Sequence, residues 1–456
     1  MRRILVFLAG SFMLCLPADG QAMDLSSAVE YAVATNPRIL EAAANRRAVD
    51  QELEEATGAY LPRLDIEGAI GPQMLERPNA SNAANLGVWR LSREVSLVAR
   101  QTVFDGFARA NEVYRQEARI DGAAARVMER AEVIGLEAVE TYLDVLRHRR
   151  ILDVATRNIR IHRELLARVR TRVDGGSATV GELRQAEERL AGAEAVHADI
   201  LKAVGAADAR FQNVIGREPL KLARAGPPRG LPPSQAAAVA LARNRHPALQ
   251  AGGADVNAAE AAFDQTRAPY LPRVDLEGRA TIGQDLDGTP GQNNDFSVRL
   301  SMSWNIFNGG IDRARRMREG ERVTESKMRL DQLRRTVDET ARRAWSDISA
   351  NDLRLAALKR QKSAAIAVIA TYDQEFEAGL RDLLDLLDAQ SSAFNVEVQQ
   401  ISAQTIAVFA RYRLLAATGG LLRSFNITPP AESIALPRER PWFVGGKPLI
   451  EPLNKW

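Results

Sequence analysis

The side chains in this chain that could do chemistry are charged rather than nucleophilic. Glu182 and Asp385 stand six residues after Gly176 and Gly379, Asp388 follows Asp385 by three, and Arg381 precedes it by four. A set of carboxylates gathered at one point attracts cations and repels anions. Material for other chemistry is missing. His148, His162, His197 and His246 are scattered, which argues against a histidine-cluster metal site. Cys15 is the one cysteine, which excludes a disulfide scaffold and a cysteine-based metal site. There is no phosphate loop, no HExxH, no nucleophile elbow and no His–Cys pairing. The sequence therefore predicts no enzyme, no cofactor and no bound metal.

The elements that must carry these charges belong to a chain of 456 residues with 61 Lys+Arg against 58 Asp+Glu, a net charge of +3. Both signs are mixed along the length and aromatics are only 5%, unlike the basic, aromatic-laced face of a nucleic-acid binder. The N-terminus has a positive start, Arg2 and Arg3. An apolar run from Ile4 to Leu16 and a small-residue site, Gly20-Gln21-Ala22, follow. This pattern is that of a secretory signal over 1–22, with the mature chain beginning at Met23. Leu14 before Cys15 is not the small residue that lipidation needs. No later apolar stretch approaches ~18 residues, so any passage through a membrane must use β-strands.

The chain repeats itself. AYLPRLDIEGA from Ala59 returns as PYLPRVDLEGR from Pro269, and VFDGF from Val103 returns as IFNGG from Ile306. Asn36-Pro37 returns as His246-Pro247 inside similar Ala-rich helices. Tyr142, Asp144, Gly176 and Gly216 match Trp345, Asp347, Gly379 and Gly419 at one constant offset. The expected organisation is a first repeat over 23–226, a second over 227–428 opening in the Pro-rich linker Pro227–Pro233, and a Pro-rich tail over 429–456. Each repeat reads as a helix ending at YLP, two strands around a polar loop, a very long helix, a glycine break and a further helix.

Strand character is clearest where Phe296, Val298, Leu300, Met302, Trp304 and Ile306 alternate with Ser297, Arg299, Ser301, Ser303 and Asn305. One apolar and one polar face fits a barrel strand between lipid and a watery lumen, and equally a strand of a soluble sandwich. Gly71–Gly87 and Gly283–Asp295 are expected to be the loops. From Gly106 to Val173 there is no proline, so the long helix would run roughly 100 Å at ~1.5 Å per residue. Val113, Ile120, Val127 and Ile134 recur every seven residues, as do Ala124, Ala131, Ala138, Val145, Leu152, Ile159, Leu166 and Val173. Sustained heptads mean coiled-coil packing. Arg147, Arg149, Arg150, Glu164 and Arg168 are expected on a solvated face, His148 is expected to be packed, and Gly176 and Gly379 are expected to supply φ > 0 turns that reverse the chain. The basic run Arg313, Arg315, Arg316 and Arg318 reads as a solvated helix start, although cations there oppose the helix dipole.

A signal peptide, the duplicated helix–strand–strand–helix–helix unit, YLP before the first strand, F-D/N-G after the second and the DLLDLLDA run together resemble the TolC-like outer-membrane factors over about 25–428. The resemblance implies an α+β membrane protein, a homotrimer. Its four strands per protomer would build one 12-stranded transmembrane β-barrel, and its coiled-coil helices a long periplasmic α-helical barrel. On that implication Val298, Leu300, Met302 and Trp304 meet outer-membrane lipid. The constricting aspartates fall on Asp385 and Asp388, six like charges around the trimer axis, and Arg381 with Glu182 ties neighbouring hairpins. The implied function is a passive exit duct in the Gram-negative outer membrane, extending into the periplasm and working with a periplasmic adaptor and an inner-membrane ABC or RND transporter. The LLAATGGLL run (Leu414 to Leu422) and the tail ending PLNKW look most like the type I secretion branch. The alternatives are the outer-membrane component of an RND-type multidrug pump, or an adaptor built on a helical hairpin. Phe376 departs from the family pattern, which places a hydroxyl-bearing aromatic three residues before the tip glycine.

Overall fold

The computed structural model describes residues 22–74, 87–286 and 290–435. Residues 1–21, which hold nearly all of the expected signal sequence over 1–22, the tail beyond 435 and the centres of the two strand-connecting loops lie outside the described residues. The elements run α1 (Leu25–Thr35), α2 (Pro37–Gly58), β1 (Arg63–Met74), β2 (Trp89–Phe104), α3 (Ala108–Asp174) and α4 (Val180–Ile215). They continue with α5 (Gln235–Arg245), α6 (Pro247–Gln265), β3 (Arg273–Gln284), β4 (Gln292–Ser303), α7 (Ile311–Glu377), α8 (Leu383–Ala417) and a one-turn α9 (Leu421–Ser424). Helix predominates, with one sheet.

Two expectations about boundaries are corrected. Asn36 and His246 do not sit inside helices: each takes extended backbone, ψ 125° and 122°, and ends one helix before another begins. The following proline disfavours the helical region for the residue before it, and Pro37 and Pro247 then open α2 and α6. The expected loop Gly283–Asp295 is shorter than its composition suggests, because β3 runs to Gln284 and β4 starts at Gln292. Gly283 and Asn293 there face each other as a pair across β3 and β4.

The described residues cluster into two compact units. The first takes the chain up to Asn36, Ile134–Leu231 and Ala344–Leu414; the second takes Pro37–Val133, Pro232–Arg343 and the chain from Leu415. Each unit draws on both sequence repeats, and α3 and α7 contribute to both. The heptad positions are core positions: Val113, Ile120, Val127, Ile134, Ala124, Ala131, Ala138 and Val145 are all buried. Leu152, Ile159, Leu166 and Val173 are only partly covered.

In the first unit Tyr142 and Phe211 are fully buried against each other, ring centroids 6.3 Å apart. The Tyr142 hydroxyl hydrogen-bonds the carbonyls of Met23 and Ala223, each at 2.8 Å, which satisfies a buried polar group and fixes the start of the described chain to the linker. The arginines expected to be merely solvated also make specific contacts. Arg149 donates to the carbonyls of Pro219 and Leu220, and Arg168 donates to Asp373 at 2.9 Å and Glu377 at 2.7 Å. A lone sequence gives the face of a helix but not its neighbour, so these pairings were not visible in the heptad pattern. His148 is partly covered, its Nδ1 2.9 Å from the carbonyl of Asp144.

In the second unit the motifs at the strand–helix junction are what hold it. Gly106 of VFDGF has φ 67°, and an added Cβ would lie 2.7 Å from the Ala268 carbonyl oxygen. Only glycine fits there. Asp105 accepts from the backbone and Nε of Arg109, and that guanidinium lies 4.6 Å over the ring of Tyr60 in the first YLP. Gln101 donates to the Tyr60 carbonyl at 2.9 Å.

Candidate functional site

Two places in the molecule have organised chemistry, one in each unit. In the second unit the four strands form a single antiparallel sheet, ordered β1-β2-β3-β4. The register aligns Leu64, Ala99, Gly278 and Val298 in one row and Ile66, Leu97, Ala280 and Phe296 in the next. Because side chains alternate between faces, these rows share a face with Leu276, Leu300, Val274 and Met302. All four strands therefore contribute to it. Val298, Leu300 and Met302 are more than 60% exposed on this apolar face. Trp304, expected among them, lies beyond the end of β4 at Ser303 and is exposed there. The strand ends three residues before Ile306, where the alternation ends.

The opposite face is a charged ladder. Arg100 donates to Glu277 at 3.1 Å, Arg279 to Glu67 at 3.1 Å, Arg273 to Asp275 at 2.8 Å and Thr102 to Asp275 at 2.7 Å. The Ser96 and Thr281 hydroxyls lie 2.7 Å apart. Ser96 and Val98 are buried, and both belong to this face. The β1 and β4 edges have no strand partner among the described residues. Past β4, the basic run is partly engaged: Arg316 stacks over Phe263 at 4.5 Å and Arg318 donates to Glu319 at 2.7 Å, while Arg313 and Arg315 are exposed.

In the first unit the helical hairpins α3–α4 and α7–α8 turn in the same way. Gly176 and Gly379 have φ 72° and 73°. The N–H of Ser177 bonds the Arg172 carbonyl, and that of Leu380 the Glu375 carbonyl, both at 2.8 Å. Each glycine N–H also bonds the carbonyl three residues back. This paired pattern is a Schellman motif, and it satisfies the last carbonyls of each helix. Between the turns lies an apolar cluster of Leu165, Val169, Ala186, Phe376, Leu383, Leu386 and Leu387. Phe376 is 2% exposed, so a hydroxyl at this position would enter an apolar cluster. Arg172 stacks on its ring at 4.5 Å and donates to its carbonyl at 3.1 Å.

The charged candidates stand around this cluster. Arg381 lies 3.8 Å over Tyr372 and donates to Glu375 at 2.5 Å and Asp385 at 2.9 Å. Asp388 accepts from Arg189 at 2.9 Å. Glu182 is engaged locally in a capping box: it accepts from the Thr179 N–H at 2.7 Å while its own N–H donates to the Thr179 hydroxyl. Within this chain, then, Arg381 and Glu182 are not partners. Asp385 and Asp388 are both more than half exposed and each has an arginine beside it. No group of acidic, His or Cys side chains able to hold a metal occurs among the described residues.

Sequence reasoning missed Tyr372, Glu375 and Arg189, whose signal is only their spacing of one or two helical turns from the named residues. It also missed Glu132 in the second unit. Glu132 is 4% exposed between the buried Ala131 and Ile134 of α3. Its carboxylate accepts the N–H groups of Leu421 and Leu422 at 3.1 and 3.4 Å, capping α9. Burial pushes this carboxyl up to about 7, against the pull of the two N–H groups and of Arg423. Gly419 beside it, φ 64°, packs so closely that an added Cβ would be 2.9 Å from the Arg245 carbonyl. An acidic residue inside an apolar heptad stretch was the available signal.

Comparison with known proteins gives a consistent result. The profile of the outer membrane efflux protein family matches residues 28–217 and 238–420. The chain is 28% identical to the outer membrane efflux protein BepC of Brucella suis over 87% of this chain and 85% of that one. It is 24% identical to the alkaline protease secretion protein AprF of Pseudomonas aeruginosa over 91% and 89%. The fold matches the crystal structure of the Campylobacter jejuni CmeC outer membrane channel with a TM-score of 0.77 at 12% identity, over 87% of this chain and 86% of that chain.

Proposed function

We propose, from the fact that this chain belongs to the outer membrane efflux protein family, that it works as the trimeric exit duct of a tripartite export system. The chain is an outer-membrane protein of an export family, and no helix among the described residues is long and apolar enough to cross a membrane. The observation that carries the reading is the sheet: one apolar face, one charged face and two open edges. In lipid, unpaired strand edges leave backbone groups without partners, each costing several kcal/mol, so only closed barrels span. Four strands are too few, since the smallest known barrels have about eight. Three copies joined β4 to β1 give 12 strands, with the apolar face toward lipid and the charged ladder toward a watery lumen.

The two sequence repeats, on this reading an internal duplication, supply two hairpins per protomer to a periplasmic helical barrel. Asp385 and Asp388 from three protomers then form the constriction, with Arg381 free to exchange Glu375 and Asp385 for the Glu182 of a neighbouring hairpin. Exposed ion pairs are worth only ~0–1 kcal/mol each, which suits a gate that a docking adaptor opens. The protein makes and breaks no covalent bond in this role; an inner-membrane ABC or RND transporter supplies the energy. The LLAATGGLL run and the similarity to AprF favour protein secretion of type I, and the similarity to BepC favours efflux. A deletion strain separates them: loss of a secreted protein marks the first, increased drug susceptibility the second. The duct itself is tested by fractionation. An SDS-resistant trimer in the outer membrane supports it, and a soluble periplasmic monomer rejects it.

A further inference from the structure

The first unit borders an open cavity of about 550 Å³ between α3, α7, α8 and the linker after α4. Four arginines line it, Arg147, Arg150, Arg224 and Arg411, together with Asp352 and Gln404. Their charges are unequally matched. Arg411 donates to Asp352 at 2.7 Å, and Arg147 donates to Asp144 at 2.5 Å. Arg150 meets the neutral Gln404 carbonyl oxygen at 3.2 Å. Arg224 is exposed and has no hydrogen-bond or ion-pair partner among the described residues. Two cations at one cavity are thus uncompensated. The wall therefore offers positive charge and spare N–H donors, arranged as planar guanidinium forks that match the oxygens of carboxylates and phosphates.

We propose that this cavity is a binding site for a dianionic oxyanion, a phosphate or a dicarboxylate, held chiefly by Arg150 and Arg224. Two negative charges match the two unpaired cations, and the volume admits a small anion with its hydration. The ligand would bridge the first-repeat helix α3 and the linker to the second-repeat helices α7 and α8, so its binding stabilises their packing. The site is separate from the carboxylates of the hairpin turns and has the opposite sign.

The test is isothermal titration of the full-length, detergent-solubilised protein with inorganic phosphate and, separately, with succinate. Saturable binding of at least one of them, one per chain, is expected. Arg150→Gln and Arg224→Gln should each weaken it about tenfold, the loss of one charge-assisted hydrogen bond. Arg224→Gln removes no contact within the chain, so its effect reads binding and not folding. Arg160→Gln, on α3 but outside the cavity, should leave affinity unchanged. Binding of phosphate alone or succinate alone supports the site and assigns its ligand class. Saturation by neither anion, or equal affinity in wild type and both cavity variants, overturns it.

Discussion

Replacing Glu132 with Gln should make the stability of this protein less dependent on pH, by an amount the structure sets. An ordinary glutamate titrates near 4.5, whereas burial raises Glu132 to about 7. The folded state therefore holds this proton more tightly than the unfolded chain. The stability it contributes is complete below pH 4.5 and is lost as pH rises through about 7. The full swing corresponds to about 3 kcal/mol. Leu421 and Leu422 donate to separate oxygens of Glu132; Gln keeps one of these acceptors and has no proton to lose. Between about pH 5 and about pH 8 the variant should gain stability relative to wild type by up to about 3 kcal/mol. Denaturant unfolding of the detergent-solubilised protein at both pH values reads the difference, and titrations elsewhere in the chain cancel between the two proteins. A gap between variant and wild type that stays constant from about pH 5 to about pH 8 would refute the reasoning, because it would mean that Glu132 does not change protonation in this range.

Other substitutions probe separate parts of the account. Phe376→Ala empties the centre of the cluster between the hairpin turns and should cost about 3–5 kcal/mol, seen as a lower unfolding midpoint and as earlier proteolysis near residues 376–383. Leu300→Arg places a charge on the apolar face and should cost ~2–4 kcal/mol near a bilayer midplane, seen as reduced trimer yield. Ser301→Arg, on the other face, should be tolerated; the reverse outcome would invert the assignment of faces. Gly419→Ala combines a left-handed backbone with a Cβ 2.9 Å from the Arg245 carbonyl and should destabilise by about 1–3 kcal/mol, measured by the same unfolding assay.

Much of this architecture can be read from periodicity. Val113, Ile120, Val127 and Ile134 repeat every seven residues and are buried; Val298, Leu300 and Met302 alternate and share one exposed face. Burial follows one-dimensional pattern because a helix or strand turns each regular spacing into a face. Pairing does not follow in the same way. Nothing in the spacing of Arg168 announces Asp373 and Glu377, and nothing near Glu132 announces Leu421, nearly three hundred residues later. The Asn36-Pro37 and His246-Pro247 steps were visible as a repeated motif, yet their meaning as breaks between helices rests on the steric rule for the residue before proline. At the hairpin turns the glycine positions were legible because φ > 0 selects for Gly. The partners of Arg381 were not, since spacing alone does not separate Glu375 and Asp385, which it meets, from Glu182, which caps its own helix.

The central claim is that three copies enclose a duct whose narrowest point is lined by Asp385 and Asp388. Single-channel recording of the purified protein in a planar bilayer tests it most directly. A cation-selective conductance is expected, raised by Arg381→Ser as the hairpin is released, and less cation-selective when Asp385 and Asp388 are both replaced with Ala. The absence of any conductance from the purified trimer would contradict the duct, and a conductance indifferent to all three substitutions would contradict the gate.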